Sequence, residues 1–262
     1  MTATFIRLAD PAAVAEAAAD RVVAILRNAI TRRGVARVAI SGGGTPRLAY
    51  PLLTRPPRVD AVDWSKVEFF WADERTVPPD HPDSNFGSAW MGWLSQLPGL
   101  RQGAVHRMPA EGPDLDAAAA AYQAEVARAF GVSPDAAADP ATPPPVLDLA
   151  WLGLGRDGHT ASLFPGSSAL GVADRWVAGT WAPGPACWRM TLTFPLLNAA
   201  REVLFTATGA DKADALRRVR MGDPSAAAGQ IHAGRVTFLV DEAADPPPPI
   251  SPPPAADPGA AA

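Results

Sequence analysis

The sequence is poor in cysteine, in long apolar runs and in clustered basic charge, and each scarcity excludes a class of protein. Cys187 is the only cysteine in 262 residues, which excludes an internal disulfide and a zinc site built from cysteines. No apolar run is long enough to cross a bilayer, and no N-terminal signal peptide is recognisable. The formal net charge is −4, which argues against a nucleic-acid-binding surface. We therefore expect a cytoplasmic protein that binds neither nucleic acid nor membranes.

The chain is rich in apolar residues, and these residues form alternating strand and helix patterns. Apolar residues make up 48% of the chain, enough for a sizeable core, and the length suits one α/β domain. The alternation predicts an α/β fold with a mostly parallel, doubly wound sheet and helices on both faces. The first helix has the clearest limits, with Asp10 as N-cap, Pro11 in the first turn and Gly34 as the stop. Further helices are predicted from near Pro46 and over 84–97, 115–130 and 211–220, and strands over 35–40, 67–71, 146–152, 188–194, 203–208 and 236–240.

Two segments fall outside this alternation because they are rich in proline. Residues 133–145 combine Pro, Ala and Asp, and we interpret them as an exposed connection. From Asp245 onward prolines dominate, so we predict a folded domain over residues 1–244 and a disordered tail over 245–262. A polyproline tail can also dock on a partner, but an unstructured tail is the interpretation we favour.

Residues 153–166, Gly-Leu-Gly-Arg-Asp-Gly-His-Thr-Ala-Ser-Leu-Phe-Pro-Gly, are the most informative stretch for function. They follow the predicted strand at 146–152, and a glycine-rich turn after a strand is where α/β proteins place their chemistry. Asp157 and His159 lie in that turn. The competing interpretation is a tight turn that holds a histidine by chance, and two further stretches make it the weaker one.

The same stretch contains a weak match to the dinucleotide-binding pattern G-x-G-x-x-G, at Gly153, Gly155 and Gly158. That pattern needs a long helix to open at its third glycine, whereas Pro165 would interrupt one here. It also needs an acidic residue at the end of a second strand about 20 residues further on, and none is present. We therefore reject a nicotinamide or flavin cofactor.

A second candidate stretch, Ser41-Gly42-Gly43-Gly44-Thr45-Pro46, directly follows the first predicted strand. Its glycines allow a sharp turn with exposed amides, and with two hydroxyls at a helix start they form a phosphate cradle. The stretch lacks the G-K-[ST] ending of a nucleotide P-loop, so a phosphate monoester suits it better than ATP. Arg189 and Lys212 are candidate cations for the same phosphate. The alternatives are an ordinary strand-to-helix turn and two solvated surface charges.

A third stretch follows the predicted strand at 67–71 and carries Asp73, Glu74 and Arg75, with Asn85 further on. Asp73 lies where a strand end presents a polar group to a ligand, and Arg75 can contact an anion or a developing oxyanion. Asn85 can cap the next helix or bond a sugar hydroxyl, two interpretations of equal weight. Glu74 can be a local ion-pair partner of Arg75. Three strand-end loops thus supply a phosphate site, an acid with an arginine, and an acid with a histidine.

With these three stretches the sequence resembles the 6-phosphogluconolactonase family, part of the glucosamine/galactosamine-6-phosphate isomerase superfamily. The family hallmarks are S-G-G-x-T-P, D-E-R-x-V-P…S-N and G-x-G-x-D-G-H-T-A-S-L-F-P-G, and they stand here at 41–46, 73–85 and 153–166. A looser match follows the third hallmark, and the resemblance spans most of the predicted domain. Related glucosamine-6-phosphate deaminases are expected to differ around these elements, whereas Arg75 and Ser162-Leu163-Phe164 are the lactonase versions.

The resemblance implies a NagB/ribose-5-phosphate isomerase-like fold and a carboxylic ester hydrolase. The implied reaction is hydrolysis of 6-phospho-D-glucono-1,5-lactone to 6-phospho-D-gluconate, the second step of the oxidative pentose phosphate pathway. Attack of water on a lactone carbonyl needs a base that works near neutral pH, which suits an imidazole. We therefore expect His159 to activate the water and to return the proton to the departing ring oxygen. No cofactor or metal is expected, because a δ-lactone is reactive and no ligand cluster is visible.

The other candidate residues divide into a catalytic and a substrate-binding group. Asp157 is expected to orient the imidazole or to bond a sugar hydroxyl. Arg75 is expected to stabilise the carbonyl oxygen or anchor the substrate, and Asp73 to bond hydroxyls or place the water. The expected substrate-binding residues are Ser41, Gly42, Gly43, Thr45, Asn85, Arg189 and Lys212, and all except Ser41 and Asn85 are assigned to the phosphate.

Competing functions make distinct demands on the same residues. A deaminase or isomerase of an amino-sugar phosphate needs an acid that shuttles a carbon-bound proton, which Asp73 can provide. A non-catalytic sugar-phosphate sensor would usually lack His159 or carry a DNA-binding segment. A glyoxalase-like or serine-esterase route is weaker, because no G-x-S-x-G elbow accompanies the histidine. The one partner we expect is the small sugar-phosphate lactone, with the chain a monomer or a weak homo-oligomer.

Overall fold

The computed structural model describes residues 3–183 and 187–246, which form an α/β fold. Its strands are β1 (Thr4–Leu8), β2 (Ala36–Ile40), β3 (Val67–Trp71), β4 (Asp73–Arg75), β5 (Val105–His106), β6 (Leu149–Gly153), β7 (Val177–Ala182), β8 (Cys187–Leu192), β9 (Val203–Ala207) and β10 (Val236–Asp241). Its α-helices are α1 (Pro11–Arg33), α2 (Gly44–Leu53), α3 (Asn85–Gly92), α4 (Leu115–Ala129), α5 (Pro134–Ala137), α6 (Phe194–Asn198) and α7 (Ala213–Arg220). Of the predicted tail, residues 247–262 lie outside the described residues.

Seven of these strands form the main sheet, in the order β1-β10-β9-β6-β2-β3-β5. Every neighbouring pair is parallel. From β2 the chain builds outward through β3 and β5 to one edge, and it then returns to place β6 on the other side of β2. The order therefore reverses between β2 and β6, the place where open α/β sheets bind ligands at the carboxyl ends of their strands. The predicted mostly parallel, doubly wound sheet is confirmed.

A second, three-stranded antiparallel sheet was not predicted from the sequence. The strand predicted at 188–194 exists as β8, but it pairs with β4 and β7 and not with the main sheet. A strand pattern identifies a strand and says nothing of its partners, which the tertiary fold decides. Gly179 interrupts the apolar pattern of β7 and packs closely against α4, because a Cβ there would lie 2.9 Å from Leu115 Cδ2.

The end signals of α1 act as predicted. Asp10 Oδ1 accepts a hydrogen bond of 2.8 Å from the Ala13 N–H, and Pro11 takes the first helical position, where no N–H is needed. At the other end Gly34 has a φ of 77°, and its N–H donates to the Ile30 carbonyl over 2.8 Å. This left-handed conformation favours glycine, so the helix stops there.

The core is built around the two central strands of the main sheet. All five residues of β9 and the first four of β6 are buried, the pattern of parallel strands covered on both faces. Helix α1 packs across β10, β9 and β2, and α2 packs against α1, β6 and β9. Of the helices in the described residues, none has the length and apolar character that a membrane span requires.

Most residues of the segment 133–145 are exposed, as predicted, but the segment also contains a short helix. It contains α5, in which Ala137 is buried, and the Ala137 carbonyl accepts a 2.7 Å hydrogen bond from Gln123 Nε2. Pro134 is the first residue of α5, a position that suits proline because its missing N–H is not required. The helix was not predicted, because a proline-rich composition does not reveal a single helical turn that packs on α4.

Candidate active site

A cavity of about 690 Å³ opens at the carboxyl ends of the main-sheet strands, where the three predicted loops meet. The loops meet because β2, β3 and β6 are parallel neighbours or nearly so, and their carboxyl ends share one edge of the sheet. All of the candidate residues line the cavity: Ser41, Gly42, Gly43, Thr45, Asp73, Arg75, Asn85, Asp157, His159, Arg189 and Lys212.

His159 and Asp157 form a close pair in the turn after β6. Asp157 Oδ1 lies 2.5 Å from His159 Nδ1 and also accepts a 3.1 Å hydrogen bond from the His159 backbone N–H. The ring is held from the side by Phe164, with ring centroids 4.3 Å apart. Because an ionised carboxylate can only accept, the proton of a neutral imidazole lies on Nδ1, and Nε2 keeps a free lone pair.

The electrostatics of this pair keep Asp157 ionised. Partial burial raises the pKa of the Asp157 carboxyl, but the hydrogen bond from His159 and the charge of an imidazolium there lower it by more. The net pKa of Asp157 lies below its ordinary value. A carboxylate that stays charged near neutral pH can orient the imidazole and stabilise the imidazolium that forms when Nε2 takes a proton.

No helix begins at Gly158, which agrees with the expectation that the G-x-G-x-x-G match does not open the helix of a dinucleotide-binding motif. The glycine at 155 has a separate purpose, because a Cβ there would lie 2.0 Å from His159 Nδ1 and 2.7 Å from Asp157 Oδ1. Gly155 also pairs through its N–H with the His159 carbonyl at 2.8 Å. The turn therefore needs glycine at 155 for the His159–Asp157 pair to close.

Replacing Gly155 with alanine should displace the imidazole with little effect on folding. We expect kcat to fall by roughly 10²-fold, because misplacing a catalytic group by about 1 Å costs that much, while KM changes less. Steady-state kinetics on the proposed substrate measures both. Gly171→Ala is the matched control, since a Cβ at Gly171 meets nothing within 4 Å. A Gly155→Ala protein with wild-type kcat would show that the close approach of Gly155 does not matter.

Asp73 is the buried centre of a hydrogen-bond network at the cavity wall. Its Oδ2 accepts from Ser162 Oγ at 2.8 Å, and its Oδ1 and carbonyl oxygen accept from Asn85 Nδ2 at 3.2 and 2.8 Å. Arg189 lies 4.0 Å from the same Oδ2. The carboxylate is thus held by the loop after β6, by α3 and by β8, which ties three separate segments to one wall of the cavity.

The structure shows that Glu74 does not form an ion pair with Arg75 and that Asn85 does not cap α3. Glu74 is buried and does not pair with the Arg75 side chain; its oxygens accept from the backbone N–H groups of Arg75, Asn85 and Phe86, each at 2.8 Å. Burial raises the pKa of Glu74, and these backbone donors only partly offset it. The cap of α3 is Ser84, whose Oγ accepts from the Gly87 N–H at 3.0 Å. Asn85 is therefore free of the capping role.

Arg75 and Arg189 lie directly opposite each other in the β4–β8 ladder. Arg75 donates through NH1 to the Asp83 carbonyl at 2.6 Å, and the Arg189 guanidinium lies 5.7 Å from the Phe164 ring centroid. Like charges in directly opposed positions are destabilising. Two guanidinium groups at one cavity wall give it positive potential, which an anionic group in the cavity would offset.

The predicted phosphate cradle is the N-terminus of α2. Gly43, the N-cap, has a φ of 110° and provides no side-chain cap, so the first amides of the helix are open to a ligand. Thr45 Oγ1 lies 3.0 Å from Thr208 Oγ1, which joins this loop to the loop after β9. A Cβ on Gly42 would lie 1.8 Å from Asn85 Oδ1, so a side chain here would break the contact with α3.

Three of the buried polar atoms that lack a hydrogen-bond partner belong to residues that line this cavity. Ser41 Oγ, Asn85 Oδ1 and Arg189 Nε are buried with no hydrogen-bond partner in the part of the chain that the structure describes. Buried polar groups are normally paired, so each exception needs an explanation, and a bound ligand that completes the hydrogen bond is one. The arrangement indicates a binding site for a polar ligand.

Lys212 lies beside the phosphate cradle, and the sequence did not identify its neighbours. Its Nζ is 3.4 Å from Asp211 Oδ2, and Arg156 Nε donates to the same oxygen at 2.6 Å. Arg156 lies within the third motif and lines the cavity, so its basic side chain was a signal available in the sequence. By their contacts, Lys212 and Arg156 belong to one wall and Arg189 to the other, next to Asp73.

Within residues 3–183 and 187–246, no group of three or more His, Cys, Asp or Glu side chains is arranged to hold a metal ion.

The family model, the most similar curated proteins and the solved structures all point to the same family. Residues 9–239 match the family model described as glucosamine-6-phosphate isomerases/6-phosphogluconolactonase. The chain is 41% identical over 194 residues to a Synechocystis 6-phosphogluconolactonase, covering 74% of this chain and 75% of that protein. It is 37% identical over 243 residues to the Streptomyces coelicolor 6-phosphogluconolactonase, covering 90% of each. The solved 6-phosphogluconolactonase of Trypanosoma cruzi superposes with a TM-score of 0.80 at 28% identity, over 93% of this chain and 96% of that one.

Proposed function

The chain belongs to the family of glucosamine-6-phosphate isomerases and 6-phosphogluconolactonases, and from this premise we propose that it hydrolyses 6-phospho-D-glucono-1,5-lactone to 6-phospho-D-gluconate. The relatives named 6-phosphogluconolactonase cover most of the chain. The reaction is the second step of the oxidative pentose phosphate pathway. It opens an ester ring with water and yields a carboxylic acid.

One observation carries the proposal: the His159–Asp157 pair lines the same cavity as the open N-terminus of α2 and Lys212. A sugar phosphate has an anionic end and a reacting end, and this cavity has an anion-binding wall and a general base. The family also contains isomerases, but their chemistry moves a proton on carbon. The side chain placed to act on water here is an imidazole with a free Nε2, which suits hydrolysis.

The proposed reaction begins with attack of water on the lactone carbonyl. Nε2 of His159 takes a proton from the water as its oxygen bonds to the carbonyl carbon, and negative charge develops on the carbonyl oxygen. Arg75 is proposed to stabilise that charge, with Arg189 adding positive potential from the opposed position. The bond from carbon to the ring oxygen then breaks, and the imidazolium returns its proton to the departing oxygen. The new carboxylic acid releases one proton at neutral pH.

The remaining residues are proposed to position the substrate. The amides and hydroxyls of the Ser41–Thr45 loop and the ammonium of Lys212 hold the phosphate. Asp73 is buried and engaged by Ser162 and Asn85, so we propose that it fixes this wall and bonds a sugar hydroxyl. Asp157 orients His159.

The proposal is tested against the isomerase alternative by offering both substrates. Freshly generated 6-phosphogluconolactone should open faster with the protein than without it, as followed by release of acid. Glucosamine 6-phosphate should release no ammonia. Ammonia release without faster lactone opening would replace the proposed function by a deaminase in which Asp73 moves the carbon-bound proton.

Replacing Lys212 with alanine should mainly raise KM. A charge-assisted contact is worth about 1.5–3 kcal/mol, which corresponds to a rise in KM of roughly 10- to 150-fold, with kcat changed far less. Steady-state kinetics on the lactone measures the effect. Lys66→Ala is a matched control, because Lys66 is the chain's other lysine and pairs with Asp63 outside the cavity. Equal KM values for the two variants would mean that the phosphate lies elsewhere.

A further inference from the structure

A second depression, of about 560 Å³, lies at the amino ends of the main-sheet strands, on the side opposite the active-site cavity. Its carboxylates, Asp148 and Glu202, immediately precede β6 and β9, and Arg235 immediately precedes β10. These are the amino ends of parallel strands, whereas the active-site cavity opens at their carboxyl ends. The two cavities are therefore separated by the length of the sheet, and nothing in the proposed reaction uses the second one.

We call this depression the arginine pocket, after Arg21, Arg32, Arg33, Arg201 and Arg235. Five guanidinium groups face two carboxylates, so the pocket holds three positive charges in excess, although the whole chain has a formal net charge of −4. Like charges this close repel one another. Such concentration of one sign focuses the local potential and attracts ligands of opposite charge.

Two of the arginines satisfy the buried carboxylates. Arg21 donates to both oxygens of Glu202 at 2.7 Å, a bidentate pair, and Arg33 donates to Asp148 at 2.5 Å. These two pairs are enough to neutralise the two acids. The pocket does not need further arginines to keep its carboxylates stable.

The other three arginines, Arg32, Arg201 and Arg235, have N–H groups that are not needed to pair with the two carboxylates. Arg201 Nε lies 3.4 Å from Asp148 and Arg235 NH1 lies 3.7 Å from Glu202, and both side chains are more than half exposed. Arg32 donates to the Asn28 side chain and belongs to no ion pair of the described residues. The planar guanidinium presents its N–H groups in a fork that matches phosphate oxygens. Three such forks at one depression suit an anion with several phosphate oxygens.

We propose that the arginine pocket binds an anion carrying a di- or triphosphate group. The excess charge of three matches a polyphosphate better than a phosphate monoester, and the volume lies in the range of small-ligand sites. Ala24 and Ile25 line part of the same depression and offer apolar contact beside the charges. The site is independent of the lactone-binding cavity, and the proposal stands whether or not the proposed function holds.

Calorimetric titration with sodium tripolyphosphate at low ionic strength tests this proposal. The wild-type protein should bind tripolyphosphate, and Arg201→Ala/Arg235→Ala should weaken that binding at least tenfold. The double variant leaves Arg21 and Arg33 on their carboxylates, and its thermal unfolding checks that it folds. Arg32→Ala is a second variant that removes no ion pair among the described residues, and we expect weaker binding there as well.

Two controls separate the pocket from other anion sites. Arg175→Ala/Arg217→Ala makes the same change in net charge at two arginines of similar exposure, and should leave the affinity unchanged. Lys212→Ala removes a cation of the active-site cavity and should leave a full equivalent of tripolyphosphate bound. The proposal is overturned if Lys212→Ala abolishes all binding, if the control double variant weakens binding as much as Arg201→Ala/Arg235→Ala, or if the wild-type protein binds no tripolyphosphate.

Discussion

Replacing His159 with alanine is expected to lower kcat for lactone hydrolysis by roughly 10²–10⁴-fold, the usual contribution of a general base. The loss follows because His159 Nε2 is the acceptor proposed for the proton of the attacking water, and no other imidazole lines the cavity within the described residues. Folding should be nearly unchanged, since the side chain is partly exposed and its one polar partner, Asp157, can turn to solvent.

Steady-state kinetics and thermal unfolding of the His159→Ala protein check the two halves of this expectation. His232→Ala is the matched control, because His232 is exposed and lies outside the cavity lining, and it should keep wild-type kcat. A His159→Ala protein with full turnover would remove His159 from the mechanism. A variant that unfolds at a much lower temperature would instead assign the residue to stability.

Replacing Asp157 with asparagine is expected to have the second large effect. We expect kcat to fall by about 10²-fold or more. In the wild type the carboxylate accepts from Nδ1–H and so keeps Nε2 free to take a proton. An amide can donate to Nδ1 instead, which favours the tautomer with the proton on Nε2, where it cannot act as a base. The variant also loses the negative charge that stabilises the imidazolium.

The pH profile distinguishes this role from a purely structural one. Because the pKa of Asp157 lies below its ordinary value, the carboxylate is charged throughout the range in which imidazoles titrate. Removing that charge disfavours the imidazolium, so the acid limb of the kcat/KM profile should move to lower pH in Asp157→Asn. A lower kcat with an unmoved acid limb would mean that Asp157 acts on the fold or on a sugar hydroxyl and not through His159.

The features that could be predicted from the sequence are those with a local signal. Asp10 and Gly34 limit α1 because a capping carboxylate and a left-handed glycine act within a few residues of themselves. The three loops meet because parallel strands present their carboxyl ends at one edge, which follows from the alternation of strands and helices alone. All eleven candidate residues therefore line the cavity, although other lining residues were not predicted. The roles assigned to the eleven remain predictions.

Features that depend on contacts between residues distant in the chain could not be predicted from the sequence. The second sheet joins β4 to β8, whose facing residues Arg75 and Arg189 are far apart in sequence, and no periodicity reveals such a pairing. Glu74 reads as a surface acid beside an arginine, yet burial and the start of α3 make it a carboxylate bonded by backbone amides. Arg156 stands inside the third motif but was not predicted as a site residue, because a lone arginine in a turn is usually a solvated surface charge.

The most direct test of the account is the rate at which acid is released from freshly generated 6-phosphogluconolactone, measured with wild-type protein, with the His159→Ala protein and with no protein. Acid release should be rapid with the wild type and slower by roughly 10²–10⁴-fold with His159→Ala. A wild-type rate equal to the spontaneous rate, or equal rates for the two proteins, would contradict it.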